Sequence, residues 1–413
     1  MLQAILGIFV LVFIAWLFSE NKRKIDFRII ILGILCQFII ALLILKVPVF
    51  KNIFLNLNKM LLVIEEATRE GTSFVFGYLG GGKPPFDEKF PMSSYILAFR
   101  ALPLVLVMSA LSSLLFYWKI LPVIVKGFSF LLQKTFRIGG AEGLGVASNI
   151  FVGQVESPLL IRPYLKNMTR SEIFSVMTCG MAGIAGTMMV IYANILGPVI
   201  PDALGHILTA SIISAPASVL IAKVMVPETE PITVSGEMVH EEDVKSSMDA
   251  LTKGTTQGLQ LLLNIIAMII VILAVVYLIN SIIGLLPDVY GKPVTLQRIF
   301  GIILSPVAWL LGIPWDECLT SGSLLGTKTV LNEFIAYLDM SMLEKGALSD
   351  RSLVIMTYAL CGFANPGSLG IMIAGMGTMV PERKNEIVSM GMRSIVSGTL
   401  ATCMTGAVVG ILY

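Results

Sequence analysis

Long apolar stretches separated by short polar connections run through the chain. A helix crosses a bilayer with about 20 apolar residues, and eight stretches approach that length: 2–19, 28–47, 95–117, 171–198, 205–226, 259–285, 351–379 and 387–412. Eight crossings return both termini to one side. The stretch 119–137 (KILPVIVKGFSFLLQKTFR) interleaves basic residues with apolar positions, and 295–311 resembles it. These patterns predict helices lying along the inner and outer interfaces, respectively. Each is followed by a segment too polar to cross and too apolar for a free loop, 139–165 and 315–338.

The two halves share this layout. After the first interfacial helix come Ala141-Glu142, Gln154-Val155-Glu156, Ser171-Glu172 and the glycine-rich GMAGIAG at 180–186. After the second come Asp316-Glu317, Asn332-Glu333, Ser349-Asp350 and FANPGSLG at 363–370. The first unit starts on the inner side and the second on the outer, so the repeat is inverted. Polar, Gly/Pro-interrupted segments at matching positions of two halves mark a transporter's binding site. Broken backbone survives in a membrane only where protein or a water-filled cavity satisfies it. The segments 139–165 and 315–338 are therefore predicted to be re-entrant hairpins entering from opposite faces, with tips near the midplane. The competing reading makes them ordinary crossings with a few buried polar residues; two extra spans keep the parity but spoil the charge bias.

Composition agrees with an all-α polytopic membrane protein. Of 413 residues, 56% are hydrophobic and 14% charged, against about 25% charged in soluble domains; mean hydropathy is +0.86. A net charge of +2 without a basic run gives no grip on nucleic acid. Lys22, Arg23, Lys24, Lys119, Lys126, Lys134, Arg137, Lys166, Arg170, Lys223, Lys245, Lys253, Arg383 and Lys384 fall on one side of the predicted spans. Lys51, Lys59, Arg69, Lys83, Lys89, Lys345 and Arg351 fall on the other. The positive-inside rule then puts both termini outside and the 227–258 loop inside. That loop, with Glu228, Glu230, Glu237, Glu241, Glu242 and Asp243, reads as a solvated connection. The first apolar stretch precedes its positive charges, the reverse of a cleaved signal, so it is a retained helix. Five scattered cysteines show neither disulfide nor zinc spacing. His206 and His240 fall in polar connections, away from any metal or acid–base scheme.

Glu156 and Glu333 are the informative carboxylates, since a charge at the bilayer centre costs roughly 2.5–3.5 kcal/mol on insertion scales. Gln154 and Asn332 lie beside them, and Asn365 and Ser368 complete a set of neutral donors and acceptors. Such a set suits an uncharged, polyhydroxylated solute: carboxamides bind a base edge and carboxylates accept from sugar hydroxyls. An anionic solute would want arginine at the tips. Buried polar contacts between helices are the alternative for any single member. No metal cluster, Ser/Lys pair or histidine dyad supports an enzyme, and opposed hairpins imply occlusion rather than a channel. The alternative within transport is a symporter of another neutral polar solute such as a free nucleobase.

GTSFVFG (71–77), GQVESP (153–158), NEFIAYLD (332–339) and FANPGSLGI (363–371) resemble the concentrative nucleoside transporter family, in family order and over essentially the full length. The resemblance implies a bacterial symporter of the inner membrane, a homotrimer in lipid whose protomers import nucleosides of the uridine, cytidine and adenosine class. It implies elevator-type alternating access, driven by a sodium or proton gradient, with no other cofactor. Residues 1–117 and 259–285 would form the scaffold, 118–226 and 295–413 the two transport repeats. It assigns the nucleobase to Gln154, Val155 and Glu156, and the ribose to Glu333, Asn365 and Ser368. It places sodium at Asn149, Val152, Gly183 and Ile184. Gly183 stands where sodium-coupled members often carry a hydroxyl, and Val155 also replaces a hydroxyl residue. Met188 is expected to line the base pocket, Asn332 to bond within the hairpin tip, and Lys328 to neutralise a nearby carboxylate.

Overall fold

The computed structural model describes residues 2–87, 96–233, 244–287 and 293–413, with the side chains at 48–61, 268 and 272 left out. The loop acids Glu237, Glu241, Glu242 and Asp243, with His240 and Lys89, lie outside the described residues, as do the Lys51 and Lys59 side chains. Every regular element among the described residues is helical. In chain order they are α1 (Leu2–Leu17), α2 (Phe27–Lys46), α3 (Pro48–Phe76), α4 (Leu97–Arg100) and α5 (Leu104–Tyr117). The first repeat follows as α6 (Ile120–Phe136), α7 (Gly140–Ser148), α8 (Glu156–Leu160), α9 (Arg170–Ala182), α10 (Gly186–Leu196) and α11 (Ala203–Met225). The long α12 (Ser247–Ile283) separates it from α13 (Leu296–Leu310), α14 (Cys318–Val330), α15 (Glu333–Ser341), α16 (Asp350–Leu360), α17 (Pro366–Met379) and α18 (Lys384–Leu412).

Among the described residues, six helical stretches are long and apolar enough to cross a bilayer: Phe27–Lys46, Leu97–Tyr117, Arg170–Leu196, Ala203–Met225, Ser247–Ile283 and Pro381–Leu412. The other two predicted crossings are the shorter α1 and the interrupted pair α16/α17. The amphipathic helices stand as α6 and α13. Sequence pattern missed α3, whose mixed polar and apolar residues fall below a spanning threshold. It also started α12 twelve residues late (259 against Ser247), because the first turns, capped by the Ser246 side chain on Asp249 N–H, are polar.

Local chemistry explains the breaks. Helix α9 opens on a capping box, with Thr169 and Glu172 satisfying each other's backbone donors. It closes at Gly183, whose backbone is extended (φ −96°, ψ 174°). Helix α16 stops at Leu360, where Cys361 turns out of helical backbone (φ −71°, ψ 87°), and Pro366, which supplies no N–H, cannot resume its ladder. Instead Pro366 opens α17, whose N-cap Asn365 accepts from Ser368 N–H at 2.8 Å. The two breaks touch: Phe363 N–H donates to the Gly183 carbonyl at 3.3 Å. A Cβ at Gly362 would sit 2.9 Å from the Met181 and Ala182 carbonyls, so only glycine lets the strands of broken backbone pass this closely.

Packing sorts the elements around these breaks. Helices α9, α11, α16 and α18 form the buried centre, α1 packs on α18 and α13, α2 on α11, and α5 pairs with α12 along the opposite side. His206 belongs to the first turn of α11 rather than to a connection. It packs edge-on against Tyr358, with Nδ1 3.1 Å from the phenol oxygen.

Candidate functional site

Glu156 and Glu333 occupy the same position in the two repeats, the first residue of the second hairpin helix. Anionic side chains are favoured there by the helix dipole. Their surroundings differ. Glu156 is exposed, and its carboxylate folds back over Gly153, where a Cβ would lie 2.2 Å from Oε2. Gln154 beside it is buried; its Nε2 donates to the Ser368 carbonyl at 3.1 Å, and its Oε1 has no partner among the described residues. The first hairpin tip therefore offers a free carboxylate and a free carboxamide oxygen.

Glu333 is buried and saturated from behind. Tyr192 O–H donates to Oε1 at 2.7 Å and Asn365 Nδ2 donates to Oε2 at 3.1 Å. Each oxygen keeps a second lone pair. Asn365 thus holds Glu333 with one end and caps α17 with the other. Asn332 caps α15, accepting from Ile335 N–H at 2.9 Å, the tip bond expected of it.

A cavity of about 1530 Å³ joins the two carboxylates. Gln154, Val155, Glu156, Met188, Glu333, Asn365 and Ser368 all line it, and so does Val152. Val155 also packs its methyls against Gly375 of α17. The facing wall comes from Ser109 and Ser112 on α5 and from Leu261 and Asn264 on α12. Small-ligand pockets measure about 300–1,000 Å³, so the cavity combines a binding floor with a vestibule. Lys119, Lys166 and Lys253, all predicted on the inner side, also line it. Sequence reasoning passed over Phe363, Phe334 and Asn264 on its walls, and Tyr192 behind them.

Asn149, Gly183 and Ile184 lie away from the cavity lining but next to one another. A Cβ on Gly183 would come 3.3 Å from the Asn149 carbonyl, and Gly186 N–H donates to the Phe151 carbonyl at 3.1 Å. The tip of the first hairpin therefore rests on the first break. The Val152 and Ile184 carbonyls accept no hydrogen bond among the described residues. The Asn149 amide nitrogen is buried without a partner, and turning that amide over presents its oxygen instead. Unpaired oxygens packed between two segments fit a hard monovalent cation.

Lys328 acts on the Glu333 carboxylate through space rather than by direct contact. Fully buried, it donates to the Ala359 carbonyl and the Thr402 hydroxyl, 2.8 Å each, and makes no ion pair among the described residues. The carbonyl end of α16 takes the ammonium in place of a carboxylate.

Comparison with known proteins bears on the whole chain. Residues 6–79 match the family described as Na+ dependent nucleoside transporter N-terminus, and 206–410 match its C-terminus. Residues 98–199 match a domain described as nucleoside recognition. The uncharacterized transporter YutK of Bacillus subtilis is 36% identical over 99% of this chain and 98% of its own length. Nucleoside permease NupC of Helicobacter pylori is 34% identical, covering 99% of this chain and 97% of the permease. The inward-facing, substrate-bound structure of CNTnw superposes with a TM-score of 0.91 at 34% identity, over 99% of this chain and 97% of that one. An outward-facing CNTnw variant gives 0.92 at 33% identity, over the same shares.

Proposed function

The chain belongs to the sodium-dependent, concentrative nucleoside transporter family, and from that premise we propose that it is a sodium-coupled symporter importing nucleosides into the cell. The observation that carries the substrate reading is the pairing of Glu156 and Gln154 with a back-supported Glu333 across one cavity. Gln154 Oε1 and Glu156 accept from the N–H groups of the base. The outward lone pairs of Glu333 accept ribose hydroxyls, with the Ser368 hydroxyl beside them. Gln154, Asn365 and Ser368 around the two carboxylates are neutral donors and acceptors, which suits a neutral, hydrogen-bonding solute. Met188 and Val155 supply apolar surface for the flat base.

Sodium binds between the first hairpin tip and the first break, through the Asn149 side chain and the Val152, Gly183 and Ile184 carbonyls. It supplies positive charge that fixes the tip carrying Gln154 and Glu156. The breaks and hairpins sit in membrane as two re-entrant pairs, and transport proceeds by an elevator-type movement of the repeats against α5 and α12. The presence of Lys119, Lys166 and Lys253 on the cavity lining supports reading this as an inward-open state. The working unit is a homotrimer in the inner membrane.

Gly183 favours a second reading of the coupling ion, because it removes a side-chain oxygen from the cation site. In that reading a proton carried by the cavity-facing Glu156 replaces sodium. Uptake of labelled uridine into proteoliposomes, with sodium and pH gradients set independently, tests both. The expected result is accumulation with an inward sodium gradient at equal pH. Accumulation only under an inward proton gradient selects the second reading. Uptake indifferent to both gradients removes symport altogether.

A further inference from the structure

We propose that Tyr192 is the positioning residue through which the cation site sets the substrate carboxylate Glu333. The inference rests on the reading just given, in which the cation sits at the first break and Glu333 takes the ribose.

Tyr192 lies in α10, the second half of the first broken span, whose opening residues are the break itself. Gly186 N–H, at the start of α10, donates to the Phe151 carbonyl of the hairpin tip. A helix is rigid over two turns, so a shift of the tip and break travels along α10 to Tyr192, about 10 Å away at 1.5 Å per residue. There the phenol leaves its own repeat and donates to Glu333 Oε1, in the second hairpin, at 2.7 Å. One side chain therefore links the candidate cation site of one repeat to the candidate ribose acceptor of the other.

Burial alone does not require this partner. Tyr337, its ring tilted against that of Tyr192 with centres 4.9 Å apart, satisfies its hydroxyl on the Thr357 carbonyl at 2.7 Å. Tyr192, equally buried, spends its proton on a carboxylate that reaches the cavity. With Asn365 fixing the other oxygen, the phenol determines where the second lone pair of Oε1 points. When the cation orders the break, the phenol is held on Glu333 and the carboxylate is aimed for a hydroxyl. Without the cation the bond loosens and Glu333 turns away.

The test is sodium linkage of uridine binding, measured by calorimetry on the purified full-length protein in nanodiscs. In the wild type, saturating sodium is expected to tighten uridine by about fivefold or more, and in Tyr192→Phe by less than about twofold, as lost coupling demands. Phenylalanine keeps the ring packing, and melting of both proteins in sodium-free buffer controls for folding. A variant with the wild-type sodium ratio overturns the proposal. A wild type that binds no nucleoside overturns the underlying reading instead, and binding without sodium linkage overturns both. Should Tyr192→Phe not fold, 3-fluorotyrosine at 192 keeps the hydroxyl. Its fluorine resonance is expected to move on adding sodium before any nucleoside, and an unmoved resonance overturns the proposal.

Discussion

At the scale of single residues, the two glutamates divide the work by their surroundings rather than their chemistry. Glu156 keeps an open carboxylate, while Tyr192 and Asn365 leave Glu333 only its cavity-side lone pairs. The cation site is most simply probed at Gly183. Its backbone is extended, a conformation serine adopts freely, and an added Cβ meets Cys179 O at 3.1 Å and Asn149 O at 3.3 Å, so the neighbours must yield slightly. We expect Gly183→Ser to add a ligand oxygen. One net polar contact of about 1 kcal/mol corresponds to roughly a fivefold lower half-saturating sodium concentration for uptake. An unchanged or higher requirement would place sodium elsewhere. The polar members of this site were legible in the sequence because a carboxylate or carboxamide in an apolar stretch needs a reason. Tyr192 and Phe363 were not, since an aromatic side chain in an apolar helix looks like packing until its hydroxyl or face is located.

At the scale of elements, the first hairpin is fastened at its base. Lys223 of α11, placed by sequence among the inner-side charges, is buried between Glu142 of α7 at 3.0 Å and Glu228 at 3.2 Å. Glu228 also accepts from Thr169 at 2.9 Å. The chain after α11 then folds back, so that Thr233 N–H and O–H donate to Glu172 at 2.8 and 2.7 Å while Gly140 N–H donates to the Thr233 carbonyl at 3.0 Å. The start of the loop read as a solvated connection is thus a strap across the hairpin root. Removing the cation from this cluster strands a fully buried carboxylate. Lys223→Met is expected to destabilise the protein by about 3–5 kcal/mol, seen as a lower melting temperature in detergent. Pairing it with Glu142→Gln should recover part of the loss; an additive double variant would show that the two side chains do not interact. The interruption at 139–165 was visible from sequence, because glycines, proline and acids break an apolar run. The strap was invisible, because contacts between residues 61 apart leave no periodic signal.

At the scale of the molecule, charged side chains tie both repeats to the α1–α2 connection. Glu20, between α1 and α2, accepts from Arg170 Nε and Nη2 at 3.0 and 2.8 Å and from Arg393 of α18. Arg170 also lies 3.6 Å from Glu386, which pairs with Arg383 at 2.7 Å. Arg383 donates in turn to the carbonyls of Leu165 and Met168, just before α9. First repeat, second repeat and N-terminal helices are therefore joined by one charged cluster. The hydrogen bond from Arg170, aided by the positive charges of Arg170 and Arg393, holds the Glu20 carboxyl below the usual range for a glutamate. A depressed folded-state value means the contribution is fully present above the unfolded value of about 4.3 and disappears as pH falls through the lower folded value. The cluster is partly exposed, so Glu20→Gln should lower the neutral-pH melting temperature by only about 1–2 °C. Added salt should shrink that gap by screening, and acidification through the unfolded value and then the lower folded value should close it as Glu20 itself protonates. If the gap persists in acid, the residue acts through packing, and the three parts are held together by their apolar contacts alone.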